Sequence, residues 1–231
     1  MSDVEFQRFE PTLVQFLEEL VDHNNRPWFQ EHKQRYEHEV REPCLAFIRA
    51  FQPRLKKISR FFVASDRRVG GSLMRVYRDT RFSGEQSPYK TNVGIQFRHE
   101  FARDVHAPGF YVHIAPDECF LAVGLWRPDP VSLRQIREAI VQWPDRWRRT
   151  RDGGKFRRCF RLEGSRLRRP PRGFAADHPL VEDLKWTDFV GVQDLGERKV
   201  LDSRFADRVA TSFAAARPWM RFLCDAIRVP F

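Results

Sequence analysis

The sequence predicts an α+β fold: an antiparallel sheet of about four or more strands, with N- and C-terminal helices packed mainly on one face. Three observations carry this. Apolar residues recur at helical spacing to about residue 57, alternate singly between Met74 and Leu125, and return to helical spacing between Ser203 and Ile227. The chain has 231 residues, of which 42% are hydrophobic, with 21 Phe and 6 Trp, enough for an ordinary globular core. It shows no repeat, linker or low-complexity tract, so the expectation is one domain spanning residues 1–231.

Each element has its own signal. Thr12 is placed to cap a helix carrying Leu13, Phe16, Leu17 and Leu20, which Asn24-Asn25 stops. Pro27 suits the first turn of a second helix bearing Trp28, Phe29, Tyr36 and Val40, and Pro43 opens a third with Leu45, Ile48, Phe51 and Leu55 on one stripe. Strands are expected around Met74 and Val76, at Val93, Ile95 and Phe97, at Phe110, Val112 and Ile114, and at Leu121, Val123 and Leu125. Pro116-Asp117-Glu118 joins the last two as a hairpin. Asp129-Pro130 starts another helix, carrying Leu133, Ile136 and Ile140. The even spacing of Phe156, Phe160 and Leu162 predicts a strand with an arginine-rich outer face. A short helix at Pro179–Leu184, a strand at Phe189–Leu195 and a final helix bent at Pro218 complete the expectation.

Composition excludes several classes. No apolar run approaches the roughly 20 residues of a membrane-spanning helix. The start, MSDVEFQRFEPTLVQF, lacks the basic opening and apolar core of a signal peptide. Cys44, Cys119, Cys159 and Cys224 lie far apart without a CxxC pair, which argues against a zinc or dithiol site and for reduced thiols in a cytoplasm. His32 and His38 are six apart and do not share a helix face, so no metal site is predicted and no cofactor is assigned. No GxSxG, P-loop or GxGxxG is present.

The net charge of +10 is concentrated. Residues 146–172 hold twelve Lys/Arg against Asp152 and Glu163, an excess equal to that of the whole chain. Arginines interleaved with Trp147, Phe156 and Phe160 suit a nucleic-acid surface, where phosphates and stacked bases both need partners. The same pattern also suits a solvated face with core aromatics, or a module that meets an acidic protein partner.

Alternation fixes what lies opposite the apolar sheet face. That outer face carries Arg75 and Tyr77; Asn92, Gly94 and Gln96; Tyr111 and His113; then Ala122, Gly124 and Trp126. Glycine within a strand marks close approach by a ligand or another backbone, so the set reads as a shallow pocket floor or as a wet or helix-covered face. RVYRDTRFSGEQSPYK, residues 75–90, leads out of it. Arg75, Arg78, Arg81 and Lys90 outnumber Asp79 and Glu85, and arginine grips phosphate or carboxylate through two parallel hydrogen bonds. A small anionic, phosphorylated ligand is therefore the leading expectation: Arg75, Arg78, Arg81 and Lys90 neutralise it, Asp79 pairs with one arginine, Tyr89, Tyr111 and His113 orient it, and Trp126 walls the pocket. His113 is the candidate general acid–base, since an ordinary histidine titrates near neutrality. The alternative for this loop is a salt-bridged turn.

RDTRF with SPYK, GFYVHIAPDECFLAVGLWRPDP, RPPRGFAADHPLVEDLKWTDFVG and the N-terminal FLEELVDHNNRPWFQEHKQRYE closely resemble the bacterial and fungal family catalogued as domain of unknown function 2461. The resemblance runs in order over nearly the whole chain and implies a single intact domain. It brings no reaction, substrate or cofactor. It implies that residues 146–172 form a structural strand and turn leading to PPRG, and that Asn25, Arg26 and Trp28 belong to a recognisable motif; on their own these residues read as a helix–helix turn with Trp28 in the core.

Overall fold

The computed structural model describes residues 6–79, 87–101 and 108–231. The chain opens with helices α1 (Pro11–Asp22), α2 (Arg26–Glu31) and α3 (Lys33–Arg35), a π-helical turn over Tyr36–Arg41, and α4 (Glu42–Ile58). The first helix ends at Asp22 with His23 as its C-cap, and Asn25, in extended backbone, starts the next helix instead. Its side chain accepts the Trp28 amide at 3.0 Å and so caps α2, with Pro27 in the first turn as expected.

Six strands follow in the order β1-β2-β3-β4-β6-β5, all paired antiparallel: β1 (Phe62–Val63), β2 (Val93–His99), β3 (Gly109–Ile114), β4 (Cys119–Leu125), β5 (Arg161–Glu163) and β6 (Phe189–Leu195). The β3–β4 hairpin turns where the sequence placed it, with the Ala115 amide bonded to the Glu118 carbonyl at 2.9 Å. Between β4 and β6 run α5 (Pro130–Gln142), α6 (Pro144–Asp152), α7 (Gly154–Cys159), β5 and α8 (Val181–Leu184). Asp129 caps α5 by accepting the amides of Val131 and Ser132. The chain closes with α9 (Glu197–Val200), α10 (Phe205–Ala215) and α11 (Arg217–Ala226).

The inner face of the sheet carries Ile95, Phe97, Phe110, Val112, Leu121 and Val123, all buried. Helices cover it. Phe51 of α4 stacks on Phe97 at 4.9 Å, Phe213 of α10 lies on Phe110 at 4.8 Å, and Trp219 of α11 donates its indole N–H to the Val123 carbonyl at 3.3 Å. Each such ring, moved from water to this interior, contributes on the order of 2–3 kcal/mol, so the phenylalanine-rich interface dominates the packing.

Three expectations are corrected. The segment around Met74 and Val76 is no full strand. It touches the sheet through one isolated bridge, Leu73 to Ile95, while a second bridge, Tyr77 to Tyr89, lies outside the sheet at the loop base, with a bend at Val76 between them. Phe156 lies in α7 rather than a strand, and only Arg161–Glu163 is extended. A spacing of four fits the same face of a helix as well as of a strand, which is why periodicity misplaced Phe156. The last helix is two, broken at Ala216, with Pro218 in the first turn of α11. Among the described residues no helix is long and apolar enough to cross a membrane. The four cysteines are free, and Cys44, Cys119 and Cys224 are buried.

Candidate functional site

The outer sheet face carries a cavity of about 420 Å³. Alternation along β2, β3, β4 and β6 delivers its floor from four strands: Gln96, Tyr111, Phe120, Ala122, Val190 and Val192. Met74 and the half-exposed Trp126 form walls, and Glu163 and Gly164 close the far side. The lining is mostly apolar, with Gln96, the Tyr111 hydroxyl and Glu163 as its polar points. Glu163 is already paired with Arg161 at 2.5 Å.

Gly94 and Gly124, which alternation places on this face, serve the protein's own packing, and of the two only Gly124 lines the cavity. A Cβ on Gly94 would stand 2.7 Å from the Tyr111 Oη and 2.9 Å from the Met74 Sδ, so the missing side chain makes room for Tyr111 and Met74 to lie across the strand. Met74, which pattern assigned to the inner face, is therefore on the outer one. Gly124 has φ +131°, a backbone region that favours glycine, and a Cβ there would collide with the Phe189 carbonyl of β6.

Tyr111 and His113 form a pair. The Tyr111 Oη lies 3.1 Å from the His113 Nδ1, Asn92 Nδ2 lies 3.5 Å from the same nitrogen, and the imidazole stacks on Phe120 at 4.5 Å. An Asn amide nitrogen can only donate, so Nδ1 is the acceptor and the proton is assigned to Nε2. Burial pushes Tyr111 up to about 12 and pulls His113 below the ordinary histidine value, with Asp117 opposing in the latter case. Both are thus neutral at pH 7. Tyr111 lines the cavity; His113 stands behind it.

The RDTRF–SPYK loop is built on a narrow two-stranded base. The Arg78 amide bonds the Pro88 carbonyl at 2.9 Å, and the Lys90 amide bonds the Val76 carbonyl at 2.7 Å. Tyr89, placed by the sequence as a ligand-orienting residue, is 2% exposed. It stacks on Phe29 at 4.0 Å, while Asn24 clamps its backbone through two hydrogen bonds of 3.0 and 3.1 Å. Tyr89 anchors the loop on the helices and does not line the cavity. Arg75, Arg78 and Lys90 do come together. Burial first, then the charges of Arg75 and Arg78, lower the Lys90 pKa, and among the described residues no carboxylate pairs with its Nζ. Arg75 and Asp79 make a loose ion pair at 4.0 Å. Arg81, Ser83, Gly84 and Glu85 lie outside the described residues. Met74 lines the cavity and Arg75 follows it directly, so the cationic group borders the cavity without lining it.

Sequence reasoning missed Met74, Phe120, Glu163, Val190 and Val192 as lining residues. The alternation of Val190 and Val192 along β6 was the available signal; their adjacency to β4 was not readable from spacing. Among the described residues no group of three His, Cys, Asp or Glu is placed to hold a metal ion.

Together these features define an α+β protein with an apolar cavity on an antiparallel sheet, bordered by a cationic loop base. Residues 12–222 match the family of conserved hypothetical proteins described as DUF2461, and the chain belongs to that family. No curated protein and no solved structure shows significant similarity to it.

Proposed function

We propose that this protein binds a small ligand with an apolar body and an anionic, phosphorylated end. The body sits in the cavity between Met74, Tyr111, Phe120 and Trp126, and the anion meets Arg75, Arg78 and Lys90. The observation that carries this reading is Lys90. A partly buried ammonium, penalised by burial and by two neighbouring arginines and with no carboxylate on its Nζ among the described residues, is favoured by an arriving anion. The cavity volume falls in the range of small-molecule sites. Arg81 extends the same group in sequence. A catalytic role for His113 would run through Tyr111, because the imidazole itself is absent from the cavity wall.

Thermal unfolding with phenyl phosphate as probe tests the reading. Phenyl phosphate should stabilise the wild type more than inorganic phosphate does, since only the former fills the cavity. At ten times its Kd the gain is about 1.4 kcal/mol. Arg75→Ala, Lys90→Met and Trp126→Ala should each lose most of that gain while remaining folded. Lys90→Met should melt higher than the wild type without ligand, because it removes a charge that burial and two arginines penalise. Equal stabilisation of wild type and Lys90→Met would overturn the assignment, as would no stabilisation of the wild type at all.

A further inference from the structure

Beneath the same sheet, on the helix-covered face, a second cleft of about 350 Å³ opens between β4, β6, α9 and α10. Leu121, Leu195, Phe205 and Val209 give it an apolar floor. Gln193 stands among them, opposite Leu121 in the β4–β6 ladder, at a position where alternation calls for another apolar residue. Its Oε1 is sealed from solvent and no protein donor reaches it, nor does its amide nitrogen bond any described residue. Ser212 of α10, only 8% exposed, lines the same cleft, and its hydroxyl makes no hydrogen bond among the described residues. The sealed Gln193 Oε1, on an otherwise apolar wall, carries a desolvation cost that an apolar residue would have removed.

The mouth is cationic. Lys199, Arg204 and Arg208 line it, against Asp207, which is tied to Arg54 at 2.8 Å. Arg204 and Arg208 share Asp202, at 3.5 and 2.9 Å, whereas Lys199 enters no ion pair among the described residues. We propose that this cleft is a second binding site, for a small carboxylate with a short apolar body. The body lies against Leu121 and Val209, and the carboxylate accepts from Ser212, Gln193 and Lys199. The Gln193 amide nitrogen, which is not sealed as its Oε1 is, supplies the N–H that the carboxylate accepts.

Ligand-observed saturation-transfer NMR, with benzoate as probe and benzamide as its neutral isostere, decides the matter. The wild type should take benzoate at millimolar concentration and benzamide clearly less well. Gln193→Leu, which keeps the bulk and deletes the amide, and Lys199→Glu, at an exposed position, should each weaken benzoate about tenfold. Gln193→Leu should also melt above the wild type. No transfer to benzoate in the wild type, equal transfer to both compounds, or benzoate binding unchanged in both variants would each overturn the proposal.

Discussion

His113 shows how one side chain ties the outer face to pH. Its imidazole titrates below the ordinary histidine value of 6.5 because burial penalises the charged ring more than Asp117 supports it. In the window between the folded pKa and 6.5 the unfolded chain therefore binds more protons than the folded one. Stability rises with pH through that window and is lost as pH falls below about 6.5. Melting temperatures between pH 7 and pH 5 should fall more steeply for the wild type than for His113→Gln. Parallel curves would mean that this imidazole does not titrate differently on folding. The residue was legible as a polar outer-face histidine from strand alternation alone. Its role as the partner of Tyr111 was not, because that depends on Gly94 leaving the tyrosine room to lie flat.

Elements in this fold meet through close backbone approaches that only some sequences allow. Gly124 and Gly94 make contrasting cases two strands apart. Alanine at Gly94 meets only the far ends of Tyr111 and Met74, which can swing aside, so about 1–2 kcal/mol is expected, with the cavity reshaped. Alanine at Gly124 meets the fixed Phe189 carbonyl at a positive φ, and should cost 4 kcal/mol or more, on the order of the severest single substitutions. Denaturant midpoints of the two variants measure this difference, and comparable losses would contradict the packing described.

The elements legible in the sequence were those with one uninterrupted period: α1, α4, α5, β2, β3, β4 and β6. Those that failed were short or ambiguous. Phe156 and Phe160 suit either period, and the chain around Met74 is bridged to the sheet only at Leu73–Ile95, so alternation there gave the wrong phase.

Across the whole molecule, the charge excess of residues 146–172 is less free than composition implies. Arg146 pairs with Asp225, Arg148 with Asp145, Arg151 with Asp152 and Asp183, Arg157 with Asp152, and Arg161 with Glu163 and Asp194. Most of these acids lie outside the segment, so no count along the chain reveals them. Arg166 instead lies over the Trp186 ring at 3.6 Å. Binding to duplex DNA, measured by fluorescence anisotropy, should accordingly be weak and fall off by roughly 0.2 M salt. Tight binding that disappears in a variant with Arg148, Arg149, Arg157 and Arg158 all changed to Glu would instead favour a nucleic-acid surface. The candidate site shows the same limit of legibility. Its cationic border could be read from residues 75–90, but its apolar body could not, because Val190 and Val192 come from a strand more than 60 residues beyond the hairpin they join.

The ladder between β4 and β6 has one further consequence. Ala122 and Val192 form a cross-strand pair whose side chains look into the outer cavity, and the next pair along, Leu121 and Gln193, looks into the inner cleft. The two hollows are therefore separated by the thickness of a single β-sheet, and consecutive residues belong to different rooms. A shift in this partition large enough to seat a bulkier group on one side must displace atoms on the other. Substitutions along these two strands will read out on both faces at once, and their effects on the two hollows should be measured in the same samples.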